Sequence, residues 1–234
     1  MSSKDQLKLT PEIRRTLAKY CYNQSIGYPR IIQGYTIASA FCRVNHKHGG
    51  TMILIREDIE YQPLYTFNAM SIEIDVEISA VMLPKERTIV VSIYRSPNGN
   101  FDAFINVLSK LLVNVDLSCK VFIAGDFNVN FAVKSNNREI LLDVFRSSAL
   151  NLTTLQYTRI TTVSGSCIDN IFTNLAEADY NVKTVNLHIA DHLAQILEYH
   201  SEVPEPVKSK IKHNKVNLRK TPPTPPPTAA GDEI

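Results

Sequence analysis

The stretch Val121-Phe122-Ile123-Ala124-Gly125-Asp126-Phe127-Asn128 runs four apolar residues into a glycine, a carboxylate and, two residues later, an amide. The apolar run suits a strand buried on both faces. Gly125 permits a sharp turn or a close backbone approach. Side chains two apart on an extended chain point the same way, which would project Asp126 and Asn128 together from the C-terminal end of the strand. A hard anionic ligand beside a neutral donor and acceptor suits a metal-bound phosphate. The same two residues equally suit a plain turn, because Asp and Asn side chains bond their own backbone.

Two later stretches carry related chemistry. In Cys167-Ile168-Asp169-Asn170-Ile171-Phe172 an acid lies among strand-forming residues. Strands rarely hold an interior Asp without a partner, since a lone buried carboxylate is costly. In Ala190-Asp191-His192-Leu193 an acid and an imidazole open another apolar run. Taken singly, His192 reads as a capping or surface histidine. Taken together, three acid-bearing strand ends (Asp126, Asp169 and Asp191) with His192 and Asn128 can converge at one sheet edge, with the chemistry of metal and phosphate.

The rest of the chain supplies the frame. Thr10-Pro11-Glu12-Ile13 has the form of a helix start within residues 5–24. Strands are predicted over 31–38, 49–56, 71–83, 87–94 and 120–124, and near 152–155, 168–173, 181–187 and 193–199. Between residues 71 and 83, Ile72, Ile74, Val76 and Ile78 alternate with Glu73, Asp75, Glu77 and Ser79, which predicts a solvated acidic face. Helices are predicted over 101–112, capped by Asn100, and over 137–149. Their aromatics read as core rather than as a base-stacking platform. Strands outnumber helices, which points to an α+β sandwich with a site in the loops at one rim.

Gly49-Gly50-Thr51-Met52-Ile53-Leu54-Ile55-Arg56, Val91-Ser92-Ile93-Tyr94-Arg95-Ser96-Pro97, Ala124-Gly125-Asp126-Phe127-Asn128, Cys167-Ile168-Asp169-Asn170-Ile171 and Asp191-His192 occur in an order and at intervals that resemble the endonuclease/exonuclease/phosphatase superfamily. The nearest likeness is to the apurinic-type endonuclease domain of LINE-like (non-LTR) retrotransposons. The resemblance implies two packed, mostly antiparallel sheets flanked by helices, a four-layer DNase I-like sandwich that is incomplete at its N-terminus. It implies Mg²⁺-dependent nicking of DNA, with Mn²⁺ as a substitute ion. Asp126 would act on the proton of the attacking water or on the leaving oxygen, Asn128 and Tyr94 would contact the phosphate, and Asp169 would orient His192. Asp191 would lie on the metal side, and Arg95 and Asn170 would bind substrate. The superfamily also has a metal-ligating Glu before the strand at residues 33–35, and an Asn on its first strand. Residues 20–26 hold no acid and residues 1–24 do not resemble that first strand. The alternative is therefore a catalytically inactive remnant or binding module. A phosphatase acting on lipid or inositol phosphates is a third reading, which the Cys42-Arg43 and Gly49-Gly50-Thr51 context disfavours.

Composition fits a folded chain, with 44% hydrophobic and 21% charged residues. The expected organisation is a non-matching, helical segment over 1–24, the endonuclease/exonuclease/phosphatase-like domain over 25–200, and an extended or disordered basic and proline-rich tail over 201–234. Residues 207–234 hold six Lys/Arg and two Asp/Glu, which leaves 19 basic and 21 acidic residues, a formal −2, in 1–206. A DNA contact would then fall to a local patch such as Arg43, His46, Lys47 and His48, which by itself reads as a solvated loop. The four cysteines at 21, 42, 119 and 167 form no zinc-type pair and read as buried thiols. No apolar run is long enough to span a bilayer and Met1–Gln6 has no secretory character, so a nuclear or cytoplasmic location away from membranes is expected.

Overall fold

The computed structural model describes residues 32–46, 48–188 and 190–199. The helical segment expected at the N-terminus and the tail expected after residue 200 lie outside the described residues. The elements in chain order begin with β1 (Tyr35–Phe41), β2 (Thr51–Arg56), β3 (Gln62–Pro63), α1 (Tyr65–Asn68), β4 (Glu77–Leu83) and β5 (Thr88–Tyr94). They continue with α2 (Phe101–Asn114), β6 (Lys120–Asp126), α3 (Asn136–Arg146), β7 (Asn151–Leu152), β8 (Arg159–Ile160) and β9 (Gly165–Ser166). β10 (Asp169–Thr173), β11 (Tyr180–Val185) and β12 (Ala194–Tyr199) close the series.

A six-stranded sheet in the order β3-β4-β5-β6-β10-β7 forms the centre. Its pairings are antiparallel except β5 with β6, which run parallel because α2 crosses between them. On one face, Ile78, Ala80, Ile89, Val91, Ile93, Val121, Ile123 and Phe172 meet Phe104, Leu108 and Leu111 of α2 and Leu141 and Phe145 of α3. Asn100 caps α2 as expected, its side chain accepting from the Ala103 amide at 3.0 Å. Phe145 stacks on Phe172 with centroids 3.7 Å apart, and Phe127 meets both edge-on, so these aromatics are core.

The opposite face is covered by two separate ladders. The β1–β2 pair packs Ala38 and Ile53 on Val81, and the β11–β12 pair brings Tyr199 within 5.0 Å of Phe122. The architecture is the expected α+β sandwich, with the second layer split in two. Among the described residues all three α-helices pack toward the first face, and no helix is long and apolar enough to cross a membrane. The buried cysteines 42, 119 and 167 are thiols.

The strand expected over 71–83 starts only at Glu77. Ile72 and Val76 instead close a tight turn through paired backbone bonds of 2.7 and 2.9 Å, with Ile74 at φ 75°. The acidic face is not solvated there, because the β1–β2 ladder covers it. Glu77 and Ser79 are fully buried, and Ser79 Oγ lies 2.7 Å from Thr51 Oγ1.

Candidate active site

The site grows from the sheet's register. Glu77 on β4 pairs with Tyr94 on β5, Tyr94 with Asp126 on β6, and Asp126 with Asp169 on β10. Residues opposite one another on adjacent strands share a face. Four polar side chains thus form a single row across four strands, on the face turned away from the helical core. Gly125 makes the approach of β5 and β6 possible there. Its φ is +156°, and a Cβ would collide with the carbonyl oxygen of Ile93.

Asp126 and Asp169 meet His192 at one end of this row. One ligand-type atom from each of the three lies within 4.8 Å of the other two. His192 comes from the turn before β12, and its Nδ1 is 2.8 Å from Asp169 Oδ2. A carboxylate at that distance holds Nδ1 protonated and leaves Nε2 to hydrogen-bond elsewhere. Asp169 is itself held from behind. The Thr158 hydroxyl, fully buried, accepts from the backbone amides of Ile168 and Asp169 at 3.1 and 3.0 Å, and Gln195 Nε2 donates to the Asp169 carbonyl.

Burial and the neighbouring Asp169 charge push the Asp126 carboxyl up to about 6. The Asn128 amide, His192 and Arg159 pull in the opposite direction and do not offset the shift. An acid raised in this way beside an oriented imidazole is the pattern of a proton-transfer or cation-binding centre.

The remaining sequence candidates divide. Tyr94 stands in the row next to Asp126, and its hydroxyl has no hydrogen-bond partner among the described residues. Asn128 does not project beside Asp126 along an extended strand. Its φ is +49°, its amide donates to Asp126 Oδ1 at 3.0 Å, and its Nδ2 donates to the Arg95 carbonyl at 2.7 Å. The turn reading is realised, and the backbone bond to Oδ1 anchors Asp126 in place. Arg95 is not placed to bind substrate. Its buried guanidinium donates to the carbonyls of Phe127, Gly99 and Asn128 at 2.9, 2.9 and 3.0 Å, which knits the rim loops together. Asn170 likewise faces the core, fully buried, with Nδ2 on the Thr154 carbonyl at 2.8 Å. One residue of offset on a strand sends neighbours to opposite faces, so Asp169 and Asn170 could not both reach the rim.

Asp191 also departs from expectation. It does not join the other two acids. Its carboxylate pairs with Arg159 at 2.8 Å on the surface, and that guanidinium holds its carboxyl below the usual range. Arg159 and Thr158 carried no signal in the sequence, because what they support lies 32 and 11 residues further along the chain.

The chemistry of the donor set fits a divalent cation. Two carboxylates stand side by side with no Lys or Arg side chain bonded to either among the described residues. His192 and the Asn128 amide engage Asp169 Oδ2 and Asp126 Oδ1, while Asp126 Oδ2 and Asp169 Oδ1 have no donor among the described residues. Hard oxygen ligands of this kind suit a divalent cation. The residues where the superfamily has its additional Glu and Asn lie outside those described.

Residues 88–196, from β5 into β12, match the endonuclease–reverse transcriptase family, and this segment contains every candidate residue named above. Among curated proteins nothing matches. Three solved structures share the fold. The endonuclease domain of TRAS1, a telomere-specific non-LTR retrotransposon, is 10% identical with a TM-score of 0.59, over 84% of this chain and 94% of its own. An AP endonuclease from Archaeoglobus fulgidus is 14% identical with a TM-score of 0.52, over 76% and 84%. An endonuclease/exonuclease/phosphatase from Bacteroides vulgatus is 13% identical with a TM-score of 0.51, over 81% and 91%. Residues 88–196 thus resemble the endonuclease–reverse transcriptase family, and the chain shares its fold with these three solved structures.

Proposed function

We propose that this chain is a Mg²⁺-dependent phosphodiesterase that nicks DNA. The observation that carries the proposal is the meeting of Asp126 with the Asp169–His192 pair at in-register strand ends. Phosphodiester hydrolysis needs a base or metal-held water on one side of phosphorus and a donor to its oxygens on the other. Asp126, raised to about 6, takes the proton of the attacking water or serves the leaving oxygen. His192, held through Nδ1 by Asp169, would donate from Nε2 to a non-bridging oxygen as the doubly protonated imidazolium. Asp126 and Asp169 would hold the cation, whose charge offsets that developing on the phosphate. DNA as substrate is supported by the likeness to the TRAS1 endonuclease domain.

The alternative, an inactive or purely binding fold, draws on Asp191, whose pairing with Arg159 removes an oxygen donor from the metal side. A supercoiled-plasmid nicking assay with Mg²⁺ separates the two. The phosphodiesterase reading expects nicking by the natural chain that Asp126→Ala and His192→Ala each slow by at least about 100-fold. Absence of nicking by the natural chain, or activity indifferent to both substitutions, would overturn it.

A further inference from the structure

The far end of the polar row holds a cation that the proposed chemistry has not used. The Arg43 side chain is only 9% exposed, and its Nε donates to Glu77 Oε1 at 2.5 Å. Its Cζ lies 5.6 Å from the centre of the Tyr94 ring. The guanidinium rests against Gly49, at φ +114°, where any Cβ would run into it. Glu77 is in turn held by the amides of Gly50 and Ile74. Arg43 Nη2 is nonetheless buried with no hydrogen-bond acceptor among the described residues.

A buried charged donor left unmatched is unfavourable and rare unless a partner arrives from outside. The missing partner must be an acceptor. Glu77 already receives three donors, none of them Arg43 Nη2, and the Tyr94 ring lies against the guanidinium. We propose that Arg43 is a phosphate-binding residue of this site, its Nη2 accommodating an oxygen of the phosphodiester that Tyr94 also contacts. A planar guanidinium fixed by a carboxylate and an aromatic face is well matched to a phosphate group. The proposal rests on the phosphodiesterase reading and names a group that binds the substrate anion.

The test titrates the whole natural chain with inorganic phosphate and follows the arginine Nε–Hε signals by NMR, with Arg43→Gln identifying the Arg43 signal. The Arg43 signal should shift saturably. The Arg95 signal, from a guanidinium whose three nitrogens each already donate to a carbonyl, should stay in place. Phosphate should raise the unfolding midpoint of the natural chain, and this rise should be lost in Arg43→Gln and partly kept in Arg43→Lys. An Arg43 signal that phosphate does not move would overturn the proposal, and so would undiminished phosphate stabilisation of Arg43→Gln. Should Arg43→Gln not fold, Arg43→Lys identifies the Arg43 signal instead, and the titration of the natural chain then decides. Nicking without an Arg43 response would sink only this inference, and an Arg43 response without nicking would sink only the phosphodiesterase reading.

Discussion

Glu77 and Asp126 occupy the same row of the same sheet, two strands apart, and their surroundings are opposite in kind. Glu77 is fully buried and receives Arg43 Nε and two backbone amides, so its charge is matched from every side. Asp126 is only partly buried and faces another carboxylate, and its proton is held up to about 6. A protein that wanted only stability would not place Asp126 against Asp169, because like charges at that distance work against folding. The contrast separates an acid that holds the fold from one kept short of partners for something that binds.

The largest expected effect concerns His192. Its replacement by Ala should slow nicking by about 10²- to 10⁴-fold, the usual range for loss of a positioned proton donor. Asp169→Asn should do at least as much, because it removes both the anchor of His192 and an oxygen ligand of the cation, and the double variant should be no slower than Asp169→Asn alone. Additive losses in the plasmid assay would show that Asp169 acts independently of His192.

Glu77→Ala should cost about 3–5 kcal/mol in urea unfolding, the range seen when one partner of a buried ion pair is removed. Asp126→Asn should do the reverse. With the folded carboxyl at about 6 against an ordinary 3.8, the folded chain holds its proton where the unfolded chain has lost it. Stability from this group is therefore complete below 3.8, falls as pH rises toward 6, and is lost above that. Relative to the natural chain, Asp126→Asn should gain up to roughly 3 kcal/mol at pH 8. The gain should shrink as pH falls through 6 and vanish below 3.8. Paired unfolding curves at pH 8 and pH 3.5 check it, and destabilisation by Asp126→Asn at pH 8 would erase the contrast with Glu77.

The smallest effect belongs to the exposed pair. Arg159→Gln should leave the unfolding midpoint unchanged, since a solvent-exposed ion pair adds little. It should nonetheless lower the Mg²⁺ concentration that gives half-maximal nicking, because Asp191 is released. An unchanged Mg²⁺ dependence would place Asp191 outside the metal site.

Legibility in the sequence followed the range of the interactions. The apolar run at 121–124 ending in Asp126 needed only local pattern, and β6 ends at Asp126. The demand of Asp169 for a partner followed from the cost of an unpaired acid in a strand, and His192 meets it. The orientation of Asn128 was not legible, because a left-handed residue breaks the period of two on which the reading relied. Glu77 looked solvated because its alternation with Ile78 is the same whether a ladder covers that face or not. Only the loop bearing Arg43 and Gly50, some thirty residues earlier, decides the matter. Asp191 read as a ligand for the same reason, since nothing nearby in the chain announces Arg159.

The most direct test of the central claim is the rate of Mg²⁺-dependent plasmid nicking by Asp126→Asn, measured at pH 8 where that variant is expected to be at least as stable as the natural chain. The account predicts a fully folded protein that nicks at least about 100-fold more slowly. A folded Asp126→Asn protein nicking at the natural rate would contradict it.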